Sequence, residues 1–292
     1  MPFEYEVMED AKAGNTLTLT IDEGVQHFLE KYLKQAIEDN NVETYVTGII
    51  MDVNTFEILA MSKLPAFDPN DPFTISNENA LEEIMALPEE EQAAAISNAQ
   101  AQQWRNNAIS DSYEPGSVFK IVTASAALDE GVVTKANTFE CPGYYKVAGQ
   151  IIRCNNRAGH GHQTFAEALQ NSCNPAFMQI GELLGIPSFC RYYSAFGLTE
   201  KTGIDLPGEM QPVAGVHYHT EESMGPVELA SSSFGQSRKV TPLQMITAMA
   251  TVVNGGNLGT PHVVSQITDA DGNIVETMDG GIKRQVISES TS

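Results

Sequence analysis

Ser117 and Lys120 stand three residues apart in Glu114-Pro115-Gly116-Ser117-Val118-Phe119-Lys120. A serine hydroxyl is a weak nucleophile until a neighbouring base takes its proton. A lysine can be that base when burial or nearby cations depress its pKa. Pro115-Gly116 predicts a tight turn into a helix, with Ser117 in the first helical turn and Lys120 on the same face. The helix N-terminus adds a positive field where an oxyanion would develop. Taken alone, Ser-x-x-Lys also reads as a helix cap followed by a surface lysine. Ser172-Cys173-Asn174-Pro175 offers a second hydroxyl and a side-chain amide; by itself it reads as a capping pair.

A second group of reactive types lies between these two motifs. Cys141, Cys154, His160 and His162 gather there, in a chain with four Cys and six His. Two thiolates and two imidazoles are the donors that zinc takes in closed tetrahedral sites. The segment Val147–Ile152 reads as a hairpin that carries Cys154 back towards Cys141. The spacing is not that of a standard finger, and His-x-His is shorter than the usual His-x₃₋₅-His. A Cys141–Cys154 disulfide and free thiols with surface histidines are the competing readings, and Cys173 could turn towards the same site as an alternative fourth ligand. Cys190 reads as a core thiol, and His217-Tyr218-His219 as a solvated loop.

The elements that must position these residues follow from periodicity. Leu17–Ile21 predicts a strand. A helix follows over Val25–Ile37, capped by Asp22 and stopped at Asn40-Asn41. Tyr45–Val53 and Phe56–Met61 predict a hairpin around Asn54-Thr55. The stretch Pro65 to Pro72 reads as loop and Ala80–Gln103 as helix, with Glu89-Glu90-Glu91 on a solvated face. Ser117–Gly131 is a further helix, and Phe165–Leu184 reads as two helical pieces broken at Asn174-Pro175. Thr241–Val253 is predicted helical, with Pro242 in its first turn and Gly255-Gly256 beyond its end. Ile267–Glu276 predicts a second hairpin with Asp271-Gly272 at its turn. Helices and hairpins without a βαβ rhythm define an α+β class.

Charge narrows the function classes. Sixteen Lys plus Arg against 38 Asp plus Glu leave a net charge of −22 over 292 residues. Such a chain is a poor ligand for nucleic acid, which needs clustered cations, and for anionic lipid. Residues 1–14 are acidic and carry no apolar run, so they do not read as a signal peptide. No apolar stretch approaches the roughly 20 residues of a membrane helix, so the chain is read as soluble or as separated from an upstream anchor.

Tyr113-Glu-Pro-Gly-Ser-x-Phe-Lys120 resembles the active-site signature of class B penicillin-binding proteins, the serine D,D-transpeptidases that cross-link peptidoglycan. The resemblance extends over nearly the whole chain, through Asn15–Asp22, Ser172-Cys173-Asn174, Phe196-Gly197 with Gly203–Glu209, and Phe234-Gly235-Gln236-Ser237 with Val240–Gln244. The Cys-Pro-Gly-Tyr and Gly-His-Gly segments look most like the Gram-positive sporulation-specific type and its vegetative elongation relative. The resemblance implies the penicillin-binding protein/serine β-lactamase-like fold, an antiparallel sheet flanked by helices. It implies that Ser117 attacks a D-Ala-D-Ala stem peptide, that Lys120 takes its proton, that Ser172 relays a proton and that Asn174 orients the substrate and Lys120. It also implies β-lactams as ligands, stem peptides as substrate, no catalytic cofactor, a glycosyltransferase or cell-wall-assembly partner, and a place on the extracytoplasmic face of the membrane.

Lys201-Thr202-Gly203 looks like the family's third motif, but it sits in a loop context upstream of where that motif belongs and is set aside as a decoy. On this reading residues 1–292 are a transpeptidase domain that stops before the third-motif strand, without anchor or pedestal domain. The rival readings are a non-catalytic module that binds β-lactams or partners, and a β-lactam-hydrolysing enzyme or sensor on the same fold.

Overall fold

The computed structural model describes residues 13–292, so most of the acidic opening stretch lies outside the described residues. Strand β1 (Thr16–Leu19) leads to Asp22, whose carboxylate accepts the Val25 N–H at 2.9 Å and starts helix α1 (Glu23–Asn40). Asn41 ends that helix in the left-handed conformation, as its short polar side chain permits. Strands β2 (Val46–Met51) and β3 (Ile58–Leu64) form the expected antiparallel hairpin. The Gln26 amide ties α1 to it, accepting from the Met61 N–H at 2.9 Å and donating to the Met61 carbonyl at 3.2 Å.

The helix predicted over Ala80–Gln103 is instead two, α2 (Glu78–Met85) and α3 (Glu89–Gln103). Pro88 lacks an N–H and its ring excludes helical geometry at the residue before it, so the chain breaks there. The two helices fold back on each other, and the Gln100, Gln103 and Trp104 side chains donate to carbonyls of the loop at Pro72–Thr74. After the short helix α4 (Asn107–Ser110), a 3₁₀ turn at Gly116–Phe119 passes directly into α5 (Lys120–Asp129).

Two small antiparallel pairs follow. Strand β4 (Thr138–Cys141) pairs with β7 (Gly161–Thr164), and β5 (Tyr144–Val147) pairs with β6 (Gln150–Arg153). A capping box between Thr164 and Glu167 opens α6 (Phe165–Gln170). Helix α7 (Asn174–Ala195) kinks at Gly185, where φ is 74°, and α8 (Pro226–Ser232) packs on it. A second capping box, Thr241 with Gln244, opens α9 (Pro242–Val253). The last strands are β8 (Asn257–Gly259), β9 (Val264–Thr268), β10 (Ile274–Thr277) and β11 (Ile282–Gln285). They pair as β1-β9-β10 and β11-β8.

Helix α5 is the centre of the core. It packs on α7 and α9, and seven of its residues from Lys120 to Ala127 are buried. Phe119, Phe189, Tyr193, Phe196 and Leu198 fill one side, and Phe139, Phe165, Phe177 and Phe234 the other. At roughly 1.5–3 kcal/mol for each large apolar side chain buried, this packing fixes where α5 begins and so where its first turn points. Cys190, read as a core thiol, is half-buried against the first group. Lys201-Thr202-Gly203 lies in a loop outside any strand, where the Glu209 carboxylate accepts from the Thr202 N–H and hydroxyl at 2.6 Å.

Candidate active site

The turn at Gly116–Phe119 leaves Ser117 exposed and buries the next two anchoring residues, Phe119 and Lys120, each at 1% exposure. The nucleophile candidate therefore stands at the surface on a fixed base. Gly116 takes φ +61°, and its N–H donates to the Gly235 carbonyl at 2.9 Å. A Cβ on Gly235 would lie 2.0 Å from the Gly116 oxygen, so only glycine permits this approach. The first turn leaves N–H groups without intrahelical partners, and that of Ser117 is a candidate oxyanion donor.

Four acceptors surround the Lys120 Nζ. They are Asn174 Oδ1 and the Ser172 carbonyl at 2.7 Å each, Ser172 Oγ at 2.9 Å and Ser117 Oγ at 3.1 Å. The carbonyl and the amide oxygen can only accept, so two amine protons go to them. A neutral amine then keeps a lone pair that faces the two hydroxyls, the arrangement needed to receive the Ser117 proton. Burial lowers the Lys120 pKa to about 8, a depression that the nearby Cys173 and Cys154 sulfurs partly oppose. At pH 7 a group with that pKa is neutral in about a tenth of molecules, against roughly one in three thousand for an ordinary lysine. The Phe177 ring, 5.6 Å from Nζ, covers the amine from α7.

Ser172 reaches this site through a left-handed backbone, φ 48°, rare for a residue with a side chain. The conformation ends α6: the Cys173 N–H returns to the Ala168 carbonyl at 3.0 Å and α7 then starts at Asn174. Ser172 thereby offers both its oxygens to Lys120, and Asn174 adds its amide from the first turn of α7. The four residues singled out as catalytic candidates thus meet around one amine.

The sulfur and imidazole donors gather beside them. Cys141 at the end of β4, Cys154 after β6, His160 and Cys173 place their ligand atoms within 4.8 Å of one another. All four cysteines are unpaired in this structure. The Cys141 and Cys154 sulfurs each lie 3.6 Å from His160 Nδ1. Tetrahedral zinc, with Zn–S of about 2.3 Å and Zn–N of about 2.0 Å, sets sulfur and nitrogen ligands about 3.5 Å apart, so this donor set fits the ion. Backbone contact builds the cradle: a Cβ on Gly143 or Gly159 would meet carbonyl oxygens at 2.3 and 2.2 Å.

His162, expected as the fourth ligand, is not part of this group. It lies on β7 opposite Glu140 of β4, with an exposed side chain bonded to the Glu140 carboxylate at 2.6 Å. Gln163 is the buried residue of β7, so its neighbour His162 takes the solvent face; His160 lies before the strand, behind Gly161 at φ 65°, and Cys173 takes the fourth corner. Sequence reasoning also passed over Glu114 and Arg238. The Glu114 carboxylate accepts the Ser237 N–H at 2.8 Å. Its place in the Glu-Pro-Gly-Ser turn is the one signal that could have marked it.

An exposed serine at a fixed turn, a buried amine beside it and the Ser-x-Asn pair form the arrangement that active-serine acyl transfer requires. Residues 46–292 match the penicillin-binding protein transpeptidase domain family, and the chain belongs to it. It is 37% identical over its whole length to stage V sporulation protein D of Bacillus subtilis, of which it covers 41%. It is 28% identical to the peptidoglycan D,D-transpeptidase FtsI of Escherichia coli, over 85% of this chain and 37% of that one. Among solved structures, penicillin-binding protein 3 of Mycobacterium tuberculosis complexed with aztreonam superposes with a TM-score of 0.79 at 25% identity, over 98% of this chain and 57% of that one. The chain thus spans about two fifths of the length of the curated relatives it matches, and the fold is that of penicillin-binding protein transpeptidase domains.

Proposed function

We propose that this chain carries the acyl-transfer centre of a peptidoglycan D,D-transpeptidase. The observation that carries the reading is Lys120, buried, with its amine within hydrogen-bond reach of both serine hydroxyls and of Asn174. Ser117 Oγ attacks the carbonyl carbon of the penultimate D-Ala of a stem peptide while its proton passes to Lys120. The oxyanion forms against the Ser117 N–H at the helix start. The C–N bond then breaks, the proton returns through Lys120 and Ser172 to the departing D-Ala nitrogen, and a serine ester remains. An amine of a second stem peptide attacks the ester, gives up its proton along the same route and restores Ser117. A β-lactam is taken up by the first half of this sequence, its ring nitrogen standing for the leaving amine. The identity with stage V sporulation protein D favours a role in sporulation or elongation, on the extracytoplasmic face of the membrane and beside a glycan-polymerising partner.

Zinc is proposed as a structural ion at Cys141, Cys154, His160 and Cys173. Four protein ligands leave no open position, so the ion would activate no water. Its effect would be to fix Cys173, and with it Ser172 and Asn174 on either side. About one equivalent of zinc in protein purified without added metal is expected. Less than about a tenth of an equivalent, with a disulfide among these cysteines in the peptide map, would overturn it.

A fluorescent penicillin tests the catalytic reading. The expected result is a single adduct placed on Ser117 by mass spectrometry and lost in Ser117→Ala. An adduct on any other residue overturns it.

A further inference from the structure

Arg238 is 2% exposed, and no carboxylate lies within ion-pair distance of it among the described residues. Its guanidinium carbon lies 4.1 Å from the Tyr193 ring centroid and 4.7 Å from that of Phe189. Its Nη2 donates to the Met224 sulfur at 3.7 Å, while Nε and Nη1 reach no acceptor. Two ring faces and a thioether, with the Cys190 thiol and the Tyr193 hydroxyl beside them, surround a buried positive charge that no carboxylate pairs. Burying a charge without a counter-ion is costly, and cation–π contacts offset only part of the cost. A methionine or leucine would fill such a space at less cost, which asks what the guanidinium does there.

Its surroundings answer. Residues 235–240 run along the back of the turn that carries Ser117. The Gly116 N–H donates to the Gly235 carbonyl at 2.9 Å, and Tyr113 and Val240 exchange two backbone hydrogen bonds at 3.0 Å. The Ser237 N–H is held by Glu114. Between Gln236 and Lys239, Arg238 is the one side chain that enters the core; Gln236, Ser237 and Lys239 are exposed. The rings it grips are those on which Phe119 packs, with centroids 6.2 Å away at Phe189 and 5.9 Å at Tyr193. Phe119 lies between Ser117 and Lys120. Arg238 therefore holds the turn twice, through the backbone segment hydrogen-bonded to it and through the aromatic floor beneath it.

We propose that Arg238 is a positioning residue for acylation, a cation seated over the Tyr193 and Phe189 rings that sets the distance from Ser117 Oγ to the Lys120 amine. Contact with two rings at once suits a broad, delocalised and weakly hydrated cation, which a lysine ammonium is not. The inference rests on Ser117 being the nucleophile, and the experiment separates the two. Mass spectrometry on the parent protein first places the penicillin adduct; an adduct elsewhere overturns the functional reading itself. Stopped-flow acylation then resolves the pre-acylation binding constant from the acylation rate constant. Rates are normalised to the fraction of protein finally acylated, so an unfolded subpopulation drops out.

Arg238→Met is expected to hold the binding constant within about twofold and to slow the acylation step about tenfold, the effect of a misplaced but present catalytic pair. Its thermal midpoint is expected at or above that of the parent, because an unpaired buried charge is removed. Arg238→Lys keeps the charge, loses the plane and is expected to slow acylation as well. Parental acylation rate constants in both variants overturn the proposal, as does a loss confined to the binding constant. Should neither variant be recovered folded, Phe189→Leu removes one ring of the cage and is decided by the same two constants.

Discussion

Lys120 and Arg238 are both cations at 1–2% exposure, and both stand behind the turn that carries Ser117. Their surroundings are opposite. Lys120 has four oxygen acceptors within 3.1 Å, while Arg238 has two aromatic faces and a sulfur. The difference follows from what each side chain can do with a proton. A lysine can release one, and a site that depresses its pKa to about 8 while two fixed oxygens hold its remaining protons prepares it as a base. An arginine does not release one, so apolar rings leave it a permanent charge, and its plane rather than its chemistry is used. On the roles proposed above, one buried cation exchanges a proton and the other holds the frame.

Exchanging the chemistry of the first cation is the strongest way to break this contrast. Lys120→Ala is expected to reduce acylation by roughly 10²–10⁴, the range for loss of a general acid–base group. Lys120→Arg should fall nearly as far, because it supplies a cation without a usable lone pair. Penicillin acylation rates measure both, and a parental rate in Lys120→Arg would reduce Lys120 to a charge of the Arg238 kind.

Titration comes next in size. With the Lys120 pKa at about 8, acylation should rise with pH and level off above that value. Well below it, the rate should fall about tenfold per pH unit as the amine is protonated. The folded protein favours the neutral amine and so binds fewer protons than the unfolded chain between about pH 8 and the ordinary lysine range. This contribution to stability therefore grows as pH rises through that window and is absent below it. A pH–rate profile flat from 6 to 9 would be incompatible with Lys120 as the base.

The two cations were unequally legible in the sequence. Ser117, Lys120, Ser172 and Asn174 lie in short local motifs, and helix geometry alone brings Ser117 and Lys120 together. Arg238 carries no such signal, because an arginine in a polar Gly-Gln-Ser-Arg-Lys run reads as surface. Its burial depends on Phe189 and Tyr193, some fifty residues earlier. Of the elements, the α1 caps, the β2–β3 hairpin and the break before α7 follow from local chemistry at Asp22, Asn54-Thr55 and Asn174-Pro175. The split between α2 and α3 was also written in the chain, at Pro88, but an otherwise helix-forming composition hid it. The metal donors show the same limit. His160 and His162 look equivalent on paper, since residues two apart share a face of an unbroken strand; Gly161 between them takes φ 65°, and His160 turns to the sulfurs while His162 stays on β7 against Glu140.

Asn174 tests the acceptor side of the contrast with a smaller effect. Its Oδ1 accepts from Lys120 at 2.7 Å. In Asn174→Leu the amine keeps only the Ser172 carbonyl as an obligate acceptor and gains freedom to turn from Ser117. Acylation is expected to slow about tenfold, as for other losses of orientation. An unchanged rate would assign the hold on Lys120 to Ser172 alone.

The smallest expected effect on catalysis separates the two histidines. Cys154→Ser should lose the zinc and, with it, part of the restraint on Cys173 and its neighbours Ser172 and Asn174. A fall of several-fold in acylation and a lower thermal midpoint are expected, because metal binding and local folding are coupled. His160→Ala should behave in the same way. His162→Ala should leave zinc content, thermal midpoint and acylation at parental values, since that side chain is exposed and bonded to Glu140 rather than to the cluster. Elemental analysis of the three variants beside the parent reads the result directly. Zinc lost from His162→Ala and kept in His160→Ala would reverse the ligand assignment.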